Sequence, residues 1–211
     1  MGRYKLYWST GSGAFPVAVL LDAGKVDYEG VELSLDAGDQ HAADFLAVNP
    51  CAQVPALVLP DGAVMTESAA LCLYLGDRHP ESGLMPGLDD PARAKVLRWL
   101  IFAATQLYED DLRFYYAERY TTQEDGATGV KLAASAALER HLDIIEAAIE
   151  GPFLLGDRMT IVDVYLAMLL SWHPGAKPGA GRFPRLAPLA EAVRAEPRVA
   201  STWARFAMDE I

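Results

Sequence analysis

NPCAQVPALVLPDGAVMTESAAL, residues Asn49 to Leu71, is the stretch from which the fold can be read. A turn leads into an apolar run, Pro55-Ala56-Leu57-Val58-Leu59. A tight turn at Pro60-Asp61-Gly62 follows, then a second short run, Ala63-Val64-Met65. Two apolar runs split by a Pro-Asp-Gly turn predict a hairpin. Thr66-Glu67-Ser68 before the periodic Ala69, Leu71, Leu73, Tyr74 and Leu75 is helix-start chemistry, so the expected order is strand, turn, strand, helix. Pro55 has no N–H for a ladder, and at a strand start it leaves the backbone of Val54 available to something outside the sheet. Glu67 and Ser68 open a helix, where unpaired N–H groups and the positive dipole end favour a carboxylate. An extended peptide with a free carboxylate would suit such a ledge; an ordinary hairpin with a capped helix would use the same residues.

The rest of the chain bounds the possibilities. It has 211 residues, 52% apolar and 22% charged, enough for one large domain or two small ones. A net charge of −11 and a pI near 4.7 argue against nucleic acid or an anionic membrane as partner, because phosphate rewards Lys and Arg. There is no signal-peptide pattern and no unbroken apolar run of spanning length, so a cytoplasmic location is expected. The two cysteines, Cys51 and Cys72, are too few for a disulfide framework or a zinc site: Cys72 reads as core and Cys51 as a loop thiol.

In chain order, Lys5-Leu6-Tyr7-Trp8 predicts a short strand, Ser9 to Ala14 a polar turn, and Phe15 to Leu21 a helix stopped at Gly24. Pro16 requires that helix to begin around Ser12 to Ala14. Tyr28 to Leu35 gives a second strand, and Ala42 to Val48 a turn of helix. Strand, helix, strand, then hairpin and helix is a thioredoxin-like arrangement, ending near residue 80. Residues 81–90 are rich in breakers and read as a linker. Beyond them, 91–211 predicts an all-helical domain: a long helix from Pro91 to about Tyr120, a second over Val130 to Ile149, a third over Val162 to Trp172 behind a Thr160/Asp163 capping box, a loop from His173 to Phe183, and two short helices over Leu186 to Ala195 and Val199 to Met208. The fold class is therefore an α+β thioredoxin-like N-terminal domain followed by an all-α C-terminal domain.

Asn49-Pro50, Gln53-Val54-Pro55, the hairpin and Thr66-Glu67-Ser68-Ala69 resemble the glutathione-binding core of the glutathione S-transferase family, and the likeness extends over essentially the whole chain. It suggests a bacterial, cytosolic member, serine-type or divergent beta-like. The resemblance implies a cis bond before Pro55, pairing of the Val54 backbone with the cysteinyl unit of glutathione, and a Glu67-Ser68 pair that holds the γ-glutamyl carboxylate and amine. It also implies a homodimer, with Met65, the Glu67 helix and the Pro91 helix at the interface, and gives the capping box a structural role.

A conjugating enzyme of this kind must generate a thiolate, because the thiol is a poor nucleophile. Lowering a thiol pKa from about 8.5 by about 2 units requires roughly 2.7 kcal/mol of selective stabilisation. One hydrogen bond to the charged sulfur, at about 1.5–3 kcal/mol, with a helix N-terminus, at about 0.3–1 kcal/mol, suffices. The turn after the first strand offers Ser12 at the helix start, with Ser9 and Thr10 as competitors. Laid on the cysteine-containing bacterial branch without a gap, the catalytic cysteine position falls on Ser12; a one-residue gap moves it to Gly13 or favours Ser9. The absence of a cysteine there argues against thiol transfer through a mixed disulfide. For the glycyl carboxylate of glutathione the candidates are Gln40, where many relatives carry histidine, the adjacent His41, and Gln53; Cys51 stands where relatives often carry lysine or another polar residue.

For a second substrate, Tyr108, Phe114, Tyr115, Tyr116 and Tyr120 crowd the first long helix, and Trp172 ends a later one. They are too many for one face, since Tyr115 and Tyr116 point about 100° apart. In the family an electrophile pocket between the domains is lined by this helix, which makes Tyr108, Tyr115 and Trp172 its candidate residues, with phenols that could polarise the electrophile. The expected activity is glutathione conjugation to a hydrophobic electrophile, a detoxification chemistry, with glutathione as co-substrate and no metal. The rivals are a non-catalytic binding or interaction module on the same fold and a glutathione-dependent peroxidase or isomerase.

Overall fold

The computed structural model describes residues 2–173 and 181–210. The chain divides into two compact units, Met1–Arg93 together with Arg194–Ile211, and Ala94–Val193. The sequence suggests a cut at an 81–90 linker with 91–211 as the second domain; here the first unit runs on to Arg93 and takes in Arg194–Ile211 as well.

The first unit is built on a four-stranded sheet of order β2-β1-β3-β4. Strand β1 (Tyr4–Trp8) pairs in parallel with β2 (Tyr28–Glu32) and antiparallel with β3 (Ala56–Val58), which pairs antiparallel with β4 (Val64–Met65). Parallel neighbours need a crossover, supplied by helix α1 (Phe15–Ala23), with proline in its first turn and Gly24 at its end. Phe15 to Leu21 are all buried, so the helix is apolar all round and its hydrogen bonds are internal. The second strand stops at Glu32, short of the expected Leu35, because Asp39 Oδ2 accepts the Ser34 N–H at 2.9 Å and turns the backbone away. A short helix, α2 (Ala43–Leu46), follows. At the hairpin the Leu59 N–H donates to Ala63 O at 2.7 Å and Gly62 sits at φ 90°, where glycine is at ease. Helix α3 (Ser68–Arg78) buries Leu71, Cys72, Leu75 and Gly76. A Cβ at Gly76 would meet Met85 Cβ at 2.7 Å, which makes glycine a packing requirement there. Cys72 is buried and Cys51 exposed, as expected.

The long helix expected from Pro91 to Tyr120 is interrupted. It runs as α4 (Ala92–Phe102), a π-helical turn at Ala103–Leu107, α5 (Tyr108–Tyr115) and a 3-10 turn at Ala117–Tyr120. The Thr105 hydroxyl bonds back to Ile101 O at 2.9 Å inside the widened turn, and the extra residue re-aims the face that follows. Helix α6 (Ala127–Ala148) and helix α7 (Ile161–Trp172) complete the core, with Ile161 to Leu170 buried throughout. Thr160 is the N-cap of α7, and Asp163, three residues on and buried, completes the capping box. Asp163 accepts the N–H of Thr160 and of Leu154, each at 2.7 Å, and the Thr160 hydroxyl at 2.9 Å. Of the loop expected over His173 to Phe183, residues 174–180 lie outside the described residues. Helices α8 (Leu186–Ala195) and α9 (Pro197–Arg205) end the chain.

Candidate functional site

Val54 lies just ahead of β3, whose ladder to β1 begins at Ala56 opposite Tyr7, so the Val54 backbone is outside the ladder. The Val54–Pro55 bond is cis, as the resemblance implied. The approach to it is held by Asn49, which is buried. Asn49 Nδ2 donates to Gln53 O at 2.7 Å, and its Oδ1 accepts the Cys51 N–H at 3.1 Å. Asn49 is a positioning residue to which sequence reading assigned no role. The available signal was an asparagine four residues before a carbonyl that must be held still. The Gln53 side chain is exposed.

The helix opens at the Glu67-Ser68 pair, as expected. Ser68 is the first residue of α3, and Glu67 caps it at φ 66°, ψ 102°, a left-handed backbone for a residue with a side chain. Such a conformation costs about 1–3 kcal/mol and persists only where the surroundings impose it. The Glu67 carboxylate is exposed and accepts a long bond from the Thr66 hydroxyl, 3.4 Å.

The turn at 9–13 is tightly self-bonded. The Ser12 hydroxyl donates to Ser9 O at 2.7 Å and accepts the N–H groups of Ser9 at 3.3 Å and Ala14 at 3.4 Å. Thr10 donates its hydroxyl to Glu32 Oε1 at 3.1 Å, and Ser9 is buried. Ser12 therefore marks the approach to α1, and its proton rests on a carbonyl that an incoming sulfur would have to displace. Of the candidates for a terminal carboxylate, Gln40 spends its amide on Leu35 O at 3.3 Å and buries its Oε1 without a partner, while His41 is exposed.

In the second unit the structure brings Tyr108, Tyr115 and Trp172 together. The Tyr108 ring stands edge-on to Trp172 at 5.2 Å and lies 6.4 Å from Tyr165, and the Tyr115 hydroxyl donates to the Trp172 carbonyl. Burial, and then the nearby Asp111, raise the Tyr115 phenol above its usual range. That proton is used on a backbone carbonyl, which removes Tyr115 as a free donor to an electrophile. Tyr116 and Tyr120 are exposed, with Arg119 over the first ring at 4.0 Å and Arg113 over the second at 5.3 Å. Two acids beneath this cluster went unread in the sequence. Asp110 bonds His141 Nδ1 at 2.7 Å. Asp111 is 3% exposed, and its Oδ1 has no partner. Burial, and then Asp110, push the Asp111 carboxyl up to about 8. Their signal was three successive acids, Glu109-Asp110-Asp111, inside an apolar helical period. Among the described residues no group of three or more His, Cys, Asp or Glu could hold a metal ion.

Residues 3–77 match the model of the glutathione S-transferase N-terminal domain, and residues 111–197 that of the C-terminal domain. The chain is 32% identical over 179 residues to glutathione S-transferase GstA of Escherichia coli O157:H7, covering 82% of this chain and 84% of that protein. The chain belongs to the glutathione S-transferase family. Among solved structures, a glutathione transferase homologue from Sulfitobacter with bound glutathione superposes with a TM-score of 0.88 at 25% identity, covering 97% of this chain and 99% of that one. A glutathione transferase from Methylococcus capsulatus superposes with a TM-score of 0.83 at 32% identity over the same shares of the two chains. Val54 and the Glu67-Ser68 pair fall within the N-terminal match, and Tyr115 and Trp172 within the C-terminal one, with Tyr108 just ahead of it. No helix among the described residues is long and apolar enough to cross a membrane.

Proposed function

We propose that this chain is a glutathione transferase that binds glutathione along the backbone of Val54, activates its thiol beside the turn at 9–13, and adds the sulfur to a hydrophobic electrophile, for which Tyr108 and Trp172 are the candidate residues. The observation that carries the reading is Glu67. A strained backbone sets an exposed carboxylate directly ahead of the first residues of α3. That set suits a γ-glutamyl group: the carboxylate takes the amine, and Ser68 with the helix start takes the acid. Val54 supplies the backbone partner for the cysteinyl unit. Gln53 and His41, the two exposed candidates, receive the glycyl carboxylate. The Sulfitobacter homologue, similar along nearly its whole length, was crystallised with glutathione bound, which supports the same ligand here.

For activation, the Ser12 hydroxyl turns from Ser9 O to the sulfur, and the N-terminal field of α1 adds to it. The bond it exchanges is with a neutral carbonyl, and the bond it gains is with an anion, about twice as strong. The short bond to Ser9 favours a second reading, a module that binds glutathione without conjugating it. Retention on immobilised glutathione followed by conjugation assays across pH separates the two. The proposal expects retention, turnover, and an upward shift of the pH profile in Ser12→Ala, with Ser9→Ala as the competing candidate. Retention without turnover would select the binding module, and turnover unchanged by either variant would assign activation to backbone amides. A homodimer and an intracellular setting follow from the family resemblance as part of this proposal.

A further inference from the structure

One residue near the C-terminus, Phe206, meets the turn at 9–13 and the aromatic residues on either side of it. The Phe206 carbonyl accepts the Gly11 N–H at 2.9 Å. Its ring lies 4.5 Å from Trp8, the residue before Ser9, and 5.8 Å from Phe15, the first residue of α1. Gly11 sits at φ 63°, between Thr10 and Ser12, so fixing its N–H fixes the direction in which the chain passes from Ser9 to Ser12. Phe206 is in turn held by α9. Its N–H donates to Thr202 O at 3.0 Å, and Trp203 meets Phe15 edge-on at 5.4 Å.

Beside this apolar packing, a polar clasp fastens α9. The Thr202 hydroxyl donates to Asp22 Oδ2 at 2.5 Å, and the Arg205 guanidinium donates to the same oxygen at 2.8 Å and to Tyr28 OH at 2.7 Å. Tyr28 closes the set by donating to Asp22 Oδ1 at 3.1 Å. Asp22 lies on α1 and Tyr28 on β2, the two elements that flank the turn's own strand. Beyond α9, Asp209 accepts Trp203 Nε1 at 2.9 Å and Arg194 at 2.6 Å, which ties the tail back to the helix entry.

We propose that α9 and the tail after it, residues 197–209, act as a positioning element for thiol activation: clasped to Asp22 and Tyr28, they hold Phe206 against the 9–13 turn and so set where the activating donors meet the sulfur. The inference rests on the glutathione-activating reading of that turn. Donor placement is demanding, because displacement by about 1 Å costs on the order of a hundredfold in rate. Loosening the clasp therefore affects the sulfur's activation more than glutathione affinity, whose contacts at Val54, Glu67 and Ser68 lie elsewhere in the chain.

The test compares the full-length protein with the double variant Thr202→Val/Arg205→Met and with the conservative Arg205→Lys. The readouts are the pH titration of the bound thiolate by its ultraviolet absorbance, the glutathione Kd by calorimetry, and kcat/KM for conjugation. The proposal expects the double variant to titrate about one pH unit higher, to lose about tenfold in kcat/KM at neutral pH, and to keep its Kd within about threefold. Arg205→Lys retains most of the wild-type profile. If the double variant does not fold, Phe206→Leu, which stays apolar against Phe15 but loses the ring over Trp8, is read against the same expectations. A titration curve that superposes on wild type while the melting temperature falls would overturn the proposal and leave α9 a purely structural element. Failure of the wild-type protein to bind glutathione is a different result: it overturns the reading of the site, and this inference with it.

Discussion

Glu67 is held at φ 66° immediately before α3, where glycine would be relaxed and a side chain is not. Glu67→Gly should therefore leave the urea midpoint unchanged or higher, while glutathione affinity falls at least about tenfold for the loss of a charged contact; calorimetry and equilibrium unfolding of the same preparations check both halves. Asn49 contributes through bonds on both sides of its side-chain amide. Asn49→Ala frees Gln53 O and the Cys51 N–H and is expected to cost about 1–3 kcal/mol in unfolding free energy and to raise the KM for glutathione. Asp111 gives a pH dependence of definite sign. Its native carboxyl, pushed up to about 8, keeps a proton that the unfolded chain, with a carboxyl near 3.9, releases at lower pH. Its contribution to stability is whole below about pH 4 and is lost as pH rises through about 8, at up to about 1.4 kcal/mol per unit. Denaturation midpoints from pH 5 to pH 9 should decline less in Asp111→Asn than in wild type. The Glu67-Ser68 pair was legible because helix-start chemistry is local. The burial of Asp111 was not, since it depends on what α6 and α7 place around that turn.

Elements differ in how far local sequence fixes them. Helix α7 was readable to within a residue because Thr160 and Asp163 stand three apart before an unbroken apolar run. Asp163 there accepts two N–H groups and a hydroxyl in a fully buried setting, so Asp163→Ala should cost about 2–4 kcal/mol, seen as a lowered melting temperature or as loss of soluble protein. The expected helix from Pro91 to Tyr120 was correct in extent and wrong in continuity. Apolar spacing reports which residues face inward but cannot register one extra residue in a turn, which is what Ala103–Leu107 inserts. The same limit applies to β2, whose end at Glu32 is set by a side chain, Asp39, that reaches back from the following turn.

On the scale of the molecule, the chain makes its first unit from both of its ends. A fragment ending at Val193 lacks Phe206 and Trp203 and leaves Phe15 and Trp8 uncovered. It should bind hydrophobic dyes and lose the near-ultraviolet signal of its N-terminal aromatics, while the full chain does neither. The sequence by itself determined the order of strands and helices, the hairpin from Pro55 to Met65, the α3 start and the family, because periodicity, turn residues and caps act over a few positions. Tertiary structure alone decided that Tyr115 spends its phenol on Trp172, that Asp111 is buried without a partner for Oδ1, and that Phe206 meets Gly11 across almost the whole length of the chain. Those are contacts between residues whose separation in sequence carries no signal, and only burial and packing bring them together.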